Sequence, residues 1–194
     1  MTPDVIRDLV RDTLLRPREA ARTILAIRWP RDALVTALAL LAVLNGIFYA
    51  VTLPIEAAAG LPLPAFVHAP LAMAVFAAGL LGFNVLFLLF AGRFLGGQAL
   101  LDDILAISVW LQTLRLVLQV GVTMLSFLSP GVAGLIAAIA GIWGLWVLVH
   151  FLAQAHRFAS PMRALGAMVL GILGLALAMS VMLAMLGVAP PEGV

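Results

Sequence analysis

Five stretches of about twenty or more residues in this chain are almost free of charge, and nothing else in the sequence limits the fold so tightly. They run roughly over Leu34–Leu53, Pro70–Ala91, Ile104–Leu128, Val132–Ala153 and Leu165–Val188. A helix needs about 20 mostly apolar residues to cross ~30 Å of hydrocarbon, so each stretch is long enough to be a span. All five are apolar all round, so none reads as an amphipathic surface helix. Strand-like alternation is absent, which excludes a β-barrel reading. The sequence therefore predicts an all-α membrane protein with five transmembrane helices. Only 10% of the 194 residues are charged and 64% are hydrophobic, against about 25% charged in an average soluble domain. That excludes a soluble globular enzyme and a disordered chain. With no cysteine, disulfides, thiol chemistry and Cys-ligated metals are excluded as well.

The few charges carry orientation. All 11 basic residues are Arg, a bias expected from a GC-rich bacterial genome. Seven lie in residues 1–32 (Arg7, Arg11, Arg16, Arg18, Arg22, Arg28 and Arg31), Arg93 lies in the second loop, and Arg157 and Arg163 lie in the fourth. Cytoplasmic loops collect Lys and Arg. Five alternating spans place these ten Arg on one side, with the N-terminus cytoplasmic and the C-terminus outside. The basic balance thus reports topology, and no nucleic-acid partner is expected. Ala57-Ala58-Ala59 resembles a cleavage site, but the charged region before it is too long for a signal peptide. The first span is read as uncleaved. The chain divides into a cytoplasmic amphipathic segment (1–32), a five-helix transmembrane domain (33–188) and a short tail (189–194).

Residues 2–15 have helical periodicity. Thr2 is placed to cap, Pro3 suits the first turn, and Asp4 favours the positive end of the dipole. Val5, Ile6, Leu9, Val10 and Leu14 form one face. Asp8 with Arg11, and Asp12 with Arg16, stand at pairing distance on the other. Pro17 opens a second short helix whose apolar side holds Ala20, Ala21, Ile24 and Leu25. Two readings stand: a lid on the protein's own cytoplasmic loops, or an interfacial or partner-docking helix. Trp29 suits the place where the chain meets the membrane.

The eleventh arginine, Arg115, lies inside the third span, where an Arg costs about 2.5–3.5 kcal/mol on insertion scales. Ser108, Gln112, Arg115 and Gln119 share one helix face by their spacing. Lipid would not tolerate that stripe, so it must face other helices or a wet cavity. None of the five stretches contains Asp or Glu. Asn84, Asn45, backbone carbonyls, water or an anionic ligand are the available partners. An interhelical hydrogen-bond seam and a lipid or anion site remain open as alternatives, centred on Arg115, Gln112, Gln119, Ser108 and Asn84.

Other features point to packing. His68, His150 and His156 have no clustered carboxylates, so no metal site and no cofactor is expected. His150 reads as a packed residue and His156 as a loop residue. Asp102 and Asp103 suit the start of the third span as caps. Ala133, Ala137, Gly141 and Gly144 on the fourth span, and Ala167, Gly171, Gly174 and Ala178 on the fifth, form small-residue faces for close helix contact. Trp143 and Trp146 fall within the fourth span and are expected to pack in the bundle. No catalytic constellation is present, so the chain is not expected to be an enzyme.

Several short motifs together resemble the Yip family of Ypt/Rab-interacting membrane proteins, in a bacterial version. They are Pro17-Arg18-Glu19-Ala20-Ala21-Arg22, Gly96-Gly97-Gln98, Trp110-Leu111-Gln112, Val117-Leu118-Gln119, Gly141-Ile142-Trp143 and His150-Phe151. The similarity runs from about residue 17 to residue 187. It implies five spans and a cytoplasmic N-terminus. The family's eukaryotic members bind prenylated Rab GTPases, partners that a bacterial chain would lack. What the resemblance leaves is a non-catalytic scaffold or accessory protein of the bacterial inner membrane. Its expected contacts are membrane lipids and a homo-oligomer or larger membrane complex. A lipid- or anion-handling transporter or scramblase using the polar stripe is the alternative.

Overall fold

A computed structural model describes residues 2–57 and 69–185. Seven helices follow in order: α1 (Pro3–Leu15), α2 (Pro17–Ala26), α3 (Arg31–Ala57), α4 (Pro70–Phe94), α5 (Leu101–Ser126), α6 (Pro130–Ala155) and α7 (Pro161–Met185). Among the described residues there is no strand. Helices α3 to α7 are each long and apolar enough to cross a membrane, as expected. Five of the seven open on proline, whose missing N–H costs nothing in a first turn and whose fixed φ suits it. The loop containing His68, most of the Ala57–Ala59 run and the tail 189–194 lie outside the described residues.

Two boundaries move. Helix α3 continues through Pro54 to Ala57 where an end was expected. Proline removes one backbone hydrogen bond, and in the last turn that loss is small. Thr2 takes the cap position of α1 with extended dihedrals, but its side chain makes no capping bond.

The spans run up and down and close a ring in space. Helix α3 packs on α4, α4 on α7, α7 on α6, α6 on α5, and α5 back on α3. At Gly46 a Cβ would come 2.5 Å from the Ala74 backbone. Helices α3 and α4 therefore touch backbone to backbone, a distance that small residues permit. Helices α3 and α5 are parallel. Arg31 fixes their starts with two bonds to Asp102, at 2.7 and 3.3 Å, so Asp102 is an ion-pair partner as well as a first-turn acid. Asp103 accepts from the Leu100 N–H at 2.9 Å, the capping role expected of it.

Helix α2 packs on the sides of α6 and α5, and α1 packs on α2. Leu9, Thr13, Ala20, Ala21 and Ile24 are buried there against Ile104, Ile107, Phe151 and Leu152. Trp110 Nε1 donates to Thr13 Oγ1 at 3.0 Å, and Trp143 Nε1 donates to the Leu14 carbonyl at 3.1 Å. Arg22 reaches Gln154 Oε1 at 3.3 Å. The two helices pack on the chain itself, as the lid reading expected, but on the sides of α5 and α6 and not on cytoplasmic loops. The apolar face of α1 is narrower than the periodicity suggested, since Val5, Ile6 and Leu14 stay exposed. The expected Asp8–Arg11 and Asp12–Arg16 pairs do not form. Among the described residues the ion pairs are Arg16–Glu19 and Arg31–Asp102.

Candidate functional site

Arg115 sits fourteen residues into α5, about 21 Å from its start at 1.5 Å per residue. Three neutral oxygens receive its guanidinium. Nε donates to Gln112 Oε1 at 2.8 Å, Nη1 to Tyr49 Oη at 3.3 Å, and Nη2 to Asn45 Oδ1 at 2.7 Å. Asn45 is buried, and its Nδ2 donates to the Leu41 carbonyl at 2.7 Å. That second bond fixes which way the amide faces, so its oxygen is turned to the arginine. Asn45 and Tyr49 are four residues apart and share one face of α3.

Three of the five guanidinium hydrogens are placed by these bonds. No carboxylate joins them, and Arg115 is still exposed at the side of the bundle. The seam therefore orients a positive charge without neutralising it. It also sets register. Asn45 lies fourteen residues beyond Arg31, and Arg115 thirteen beyond Asp102, so two polar contacts about 20 Å apart hold the parallel pair α3–α5 in step.

The expected stripe is only partly assembled. Gln112 joins Arg115. Ser108 is buried on the same helix but does not reach the guanidinium, and Gln119 keeps a buried Oε1 without a partner. Asn84 is half-buried on α4 and is not among the arginine's partners. Helix α4 packs mainly on α3 and α7, which leaves α3 to face Arg115. Tyr49 is the partner that sequence reasoning missed. Its signal was available: the chain's one tyrosine, four residues after Asn45.

A second polar centre was also missed. His156 lies in the turn just past α6, as expected, but it is buried. Its Nε2 lies 3.1 Å from the Leu88 carbonyl, and its ring stacks on Phe158 at 5.3 Å. Its own carbonyl accepts from the Gln98 N–H at 3.0 Å. A Cβ on Gly92 or Gly97 would overlap the imidazole, so the two glycines make the space it fills. Gly96 turns the chain between them at φ +85, a conformation that glycine reaches without strain. Since a carbonyl only accepts, Nε2 carries the hydrogen and Nδ1 is left as a buried atom without a partner. Burial pushes the His156 pKa down. The Leu88 bond works against that shift, nearby Arg93 adds to it, and Asp103 opposes it. The residue clasps the ends of α4 and α6 and has no room for a ligand.

The two small-residue faces behave differently. On α7, Ala167 and Gly171 are buried, and a Cβ on Gly171 or Gly174 would meet Leu88 or Phe87 side-chain atoms at 2.9 and 2.5 Å. On α6, Ala133 is buried, but Ala137, Gly141 and Gly144 are exposed. A Cβ at Gly134, Gly141 or Gly144 would meet nothing within 4 Å. Trp143 and Trp146 are 45% and 40% exposed, so they too are not packed in the bundle as expected. Among the described residues no group of three or more His, Asp or Glu stands together as a metal centre would need.

A family model described as "Yip1 domain" matches residues 11–182. No curated protein and no solved structure matches the chain.

Proposed function

The chain belongs to the Yip1 domain family, and on that premise we propose that it is a non-catalytic membrane scaffold or accessory protein acting through helix–helix and lipid contacts. The uncovered stretch of α6 carries this reading. A glycine face in a span allows another helix to approach closely, and in α6 that face has no neighbour among the described residues. A second copy or another membrane protein is the occupant it suits. The arginine-bearing end, with α1 and α2, is placed in the cytoplasm by the positive-inside rule. The Arg-only composition favours a bacterial inner membrane. On that assignment Rab GTPases are not partners.

Gentle detergent extraction tests the proposal. Light scattering should find the 20.5 kDa chain in a dimer or larger complex, and Gly141→Leu should release the monomer. A monomer already present in the unmodified protein, with no co-purifying partner, would count against it.

One observation supports a second reading, lipid or anion handling. The Arg115 charge is held by neutral groups alone and is exposed at the side of the bundle. Proteoliposomes should then show lipid scrambling or anion flux that Arg115→Leu abolishes while the protein still inserts. No flux in the unmodified protein would dismiss this second reading.

A further inference from the structure

The turn between α1 and α2 and the C-terminal half of α6 flank an open groove of about 270 Å³, lined by Leu15, Arg16, Pro17, Arg18, Glu19, Trp146 and His150. Two guanidiniums and one carboxylate leave it with one net positive charge. Arg16 Nη1 stands 3.6 Å from Glu19 Oε2 in a pair with both side chains exposed, a contact of little strength. Arg18 has no ion pair or hydrogen bond among the described residues. His150 Nδ1 lies 2.8 Å from the Trp146 carbonyl. A carbonyl only accepts, so Nδ1 bears the hydrogen and Nε2 of the neutral ring is an acceptor, able to take a headgroup hydroxyl while the phosphate falls to the arginines.

The position of the groove selects the ligand. Helix α6 has 26 residues and is about 39 Å long, some 9 Å more than the hydrocarbon it crosses. Its surplus belongs at the end where α2 covers it and where Arg22 holds Gln154. The last six residues or so then stand clear of the hydrocarbon, which puts His150 at the boundary and Trp146 one turn below it. Arginine and tryptophan gathered about that boundary match the interface where a leaflet's headgroups meet its acyl chains. The groove is too small for a whole lipid but has room for a headgroup. Below it Ile142, Trp143 and Leu145 are exposed on α6, giving acyl chains an apolar path. Leu14 and Leu15 are exposed beside it.

We propose that this groove binds the phosphate of one anionic phospholipid, held by Arg16 and Arg18 against Trp146 and His150, with its chains lying along α6. The proposal rests on the lipid contacts of the scaffold reading and adds their place and charge. Its test does not depend on oligomeric state, so the two can fail separately.

Native mass spectrometry of the full chain in detergent, titrated with phosphatidylglycerol or phosphatidylcholine, makes the test. One phosphatidylglycerol should be retained in preference to phosphatidylcholine. Arg16→Gln and Arg18→Gln should each weaken its binding about five-fold, the effect of one basic residue near an anionic surface. Phosphatidylcholine binding should not change. Both arginines are exposed, so the melting temperature should hold. Arg7→Gln with Arg11→Gln removes as much charge from exposed positions outside the groove and should leave binding unchanged. Equal weakening by that control pair would reduce the site to general charge attraction and overturn it. So would the absence of any headgroup preference. Glycerol 3-phosphate binding as tightly as the lipid would assign the groove to a soluble phosphate and overturn the lipid proposal.

Discussion

Helices α6 and α7 are built from the same materials and put them to different uses. Both are rich in Gly and Ala and both could cross a membrane. On α7 the small residues are filled from within the chain, by Leu88 at Gly171 and by Phe87 at Gly174. On α6 the covered positions are Ala133 near one end and Val147, Phe151 to Ala153 and Ala155 near the other. Gly141 and Gly144 between them face open space. A glycine that receives a neighbour's side chain is a packing residue. A row of glycines with nothing against them leaves an intramembrane surface for something outside the chain.

Substitutions can break this comparison, and the covered positions should respond most. Gly46→Val is the severe case, because its Cβ meets the Ala74 backbone at 2.5 Å and no side chain can yield. A loss of about 3 kcal/mol or more is expected in detergent unfolding, the upper range for overpacking. Gly171→Val and Gly174→Val push against side chains that can adjust, so about 1–3 kcal/mol is expected for each. Ordinary stability at either position would show that the α4–α7 contact is looser than described.

The covered end of α6 gives a pH-dependent prediction. Burial favours the neutral form of His156 in the folded protein, so its pKa there is lower than in the unfolded chain. Between those two values the unfolded state binds more protons, so stability rises with pH. It should be complete above about pH 6.5, the ordinary imidazole value, and fall as acidification passes below it. Thermal unfolding at pH 7.5 and pH 5.5 should show the drop. His156→Gln should lower stability at both and flatten the pH dependence. An unchanged slope would contradict the assignment of the pH dependence to His156. The smallest effect is expected on the uncovered stretch, where Gly141→Val and Gly144→Val should change the stability of the isolated chain by less than about 0.5 kcal/mol.

The span count and the gathering of arginines at one end were legible in the sequence, because each averages over many residues. The contents of the polar seam were half legible. Gln112 follows from helix spacing, and Asn45 was one of two asparagines in reach. The choice of Asn45 over Asn84, and the addition of Tyr49, depended on which helix lies beside α5. His156 was not legible, since its cradle comes from Gly92 and Gly97, about sixty residues earlier. The glycines of α6 and α7 look alike in sequence, because composition records that a helix can be approached and not whether anything approaches it. The same limit explains Trp143 and Trp146. Their place within a span suggested packing, whereas the α1–α2 lid takes the Trp143 N–H and leaves both rings partly exposed.

A photo-activated cross-linking residue placed at Gly141, with Leu173 on the exposed side of α7 as the reference, tests the role of α6 most directly. Illumination in intact membranes should give a protein adduct from position 141, either a dimer of the chain or a complex with one partner. Position 173, 61% exposed and equally apolar, should give none. Adducts of equal yield from both positions, or from neither, would contradict the account of α6 as a helix-contact surface.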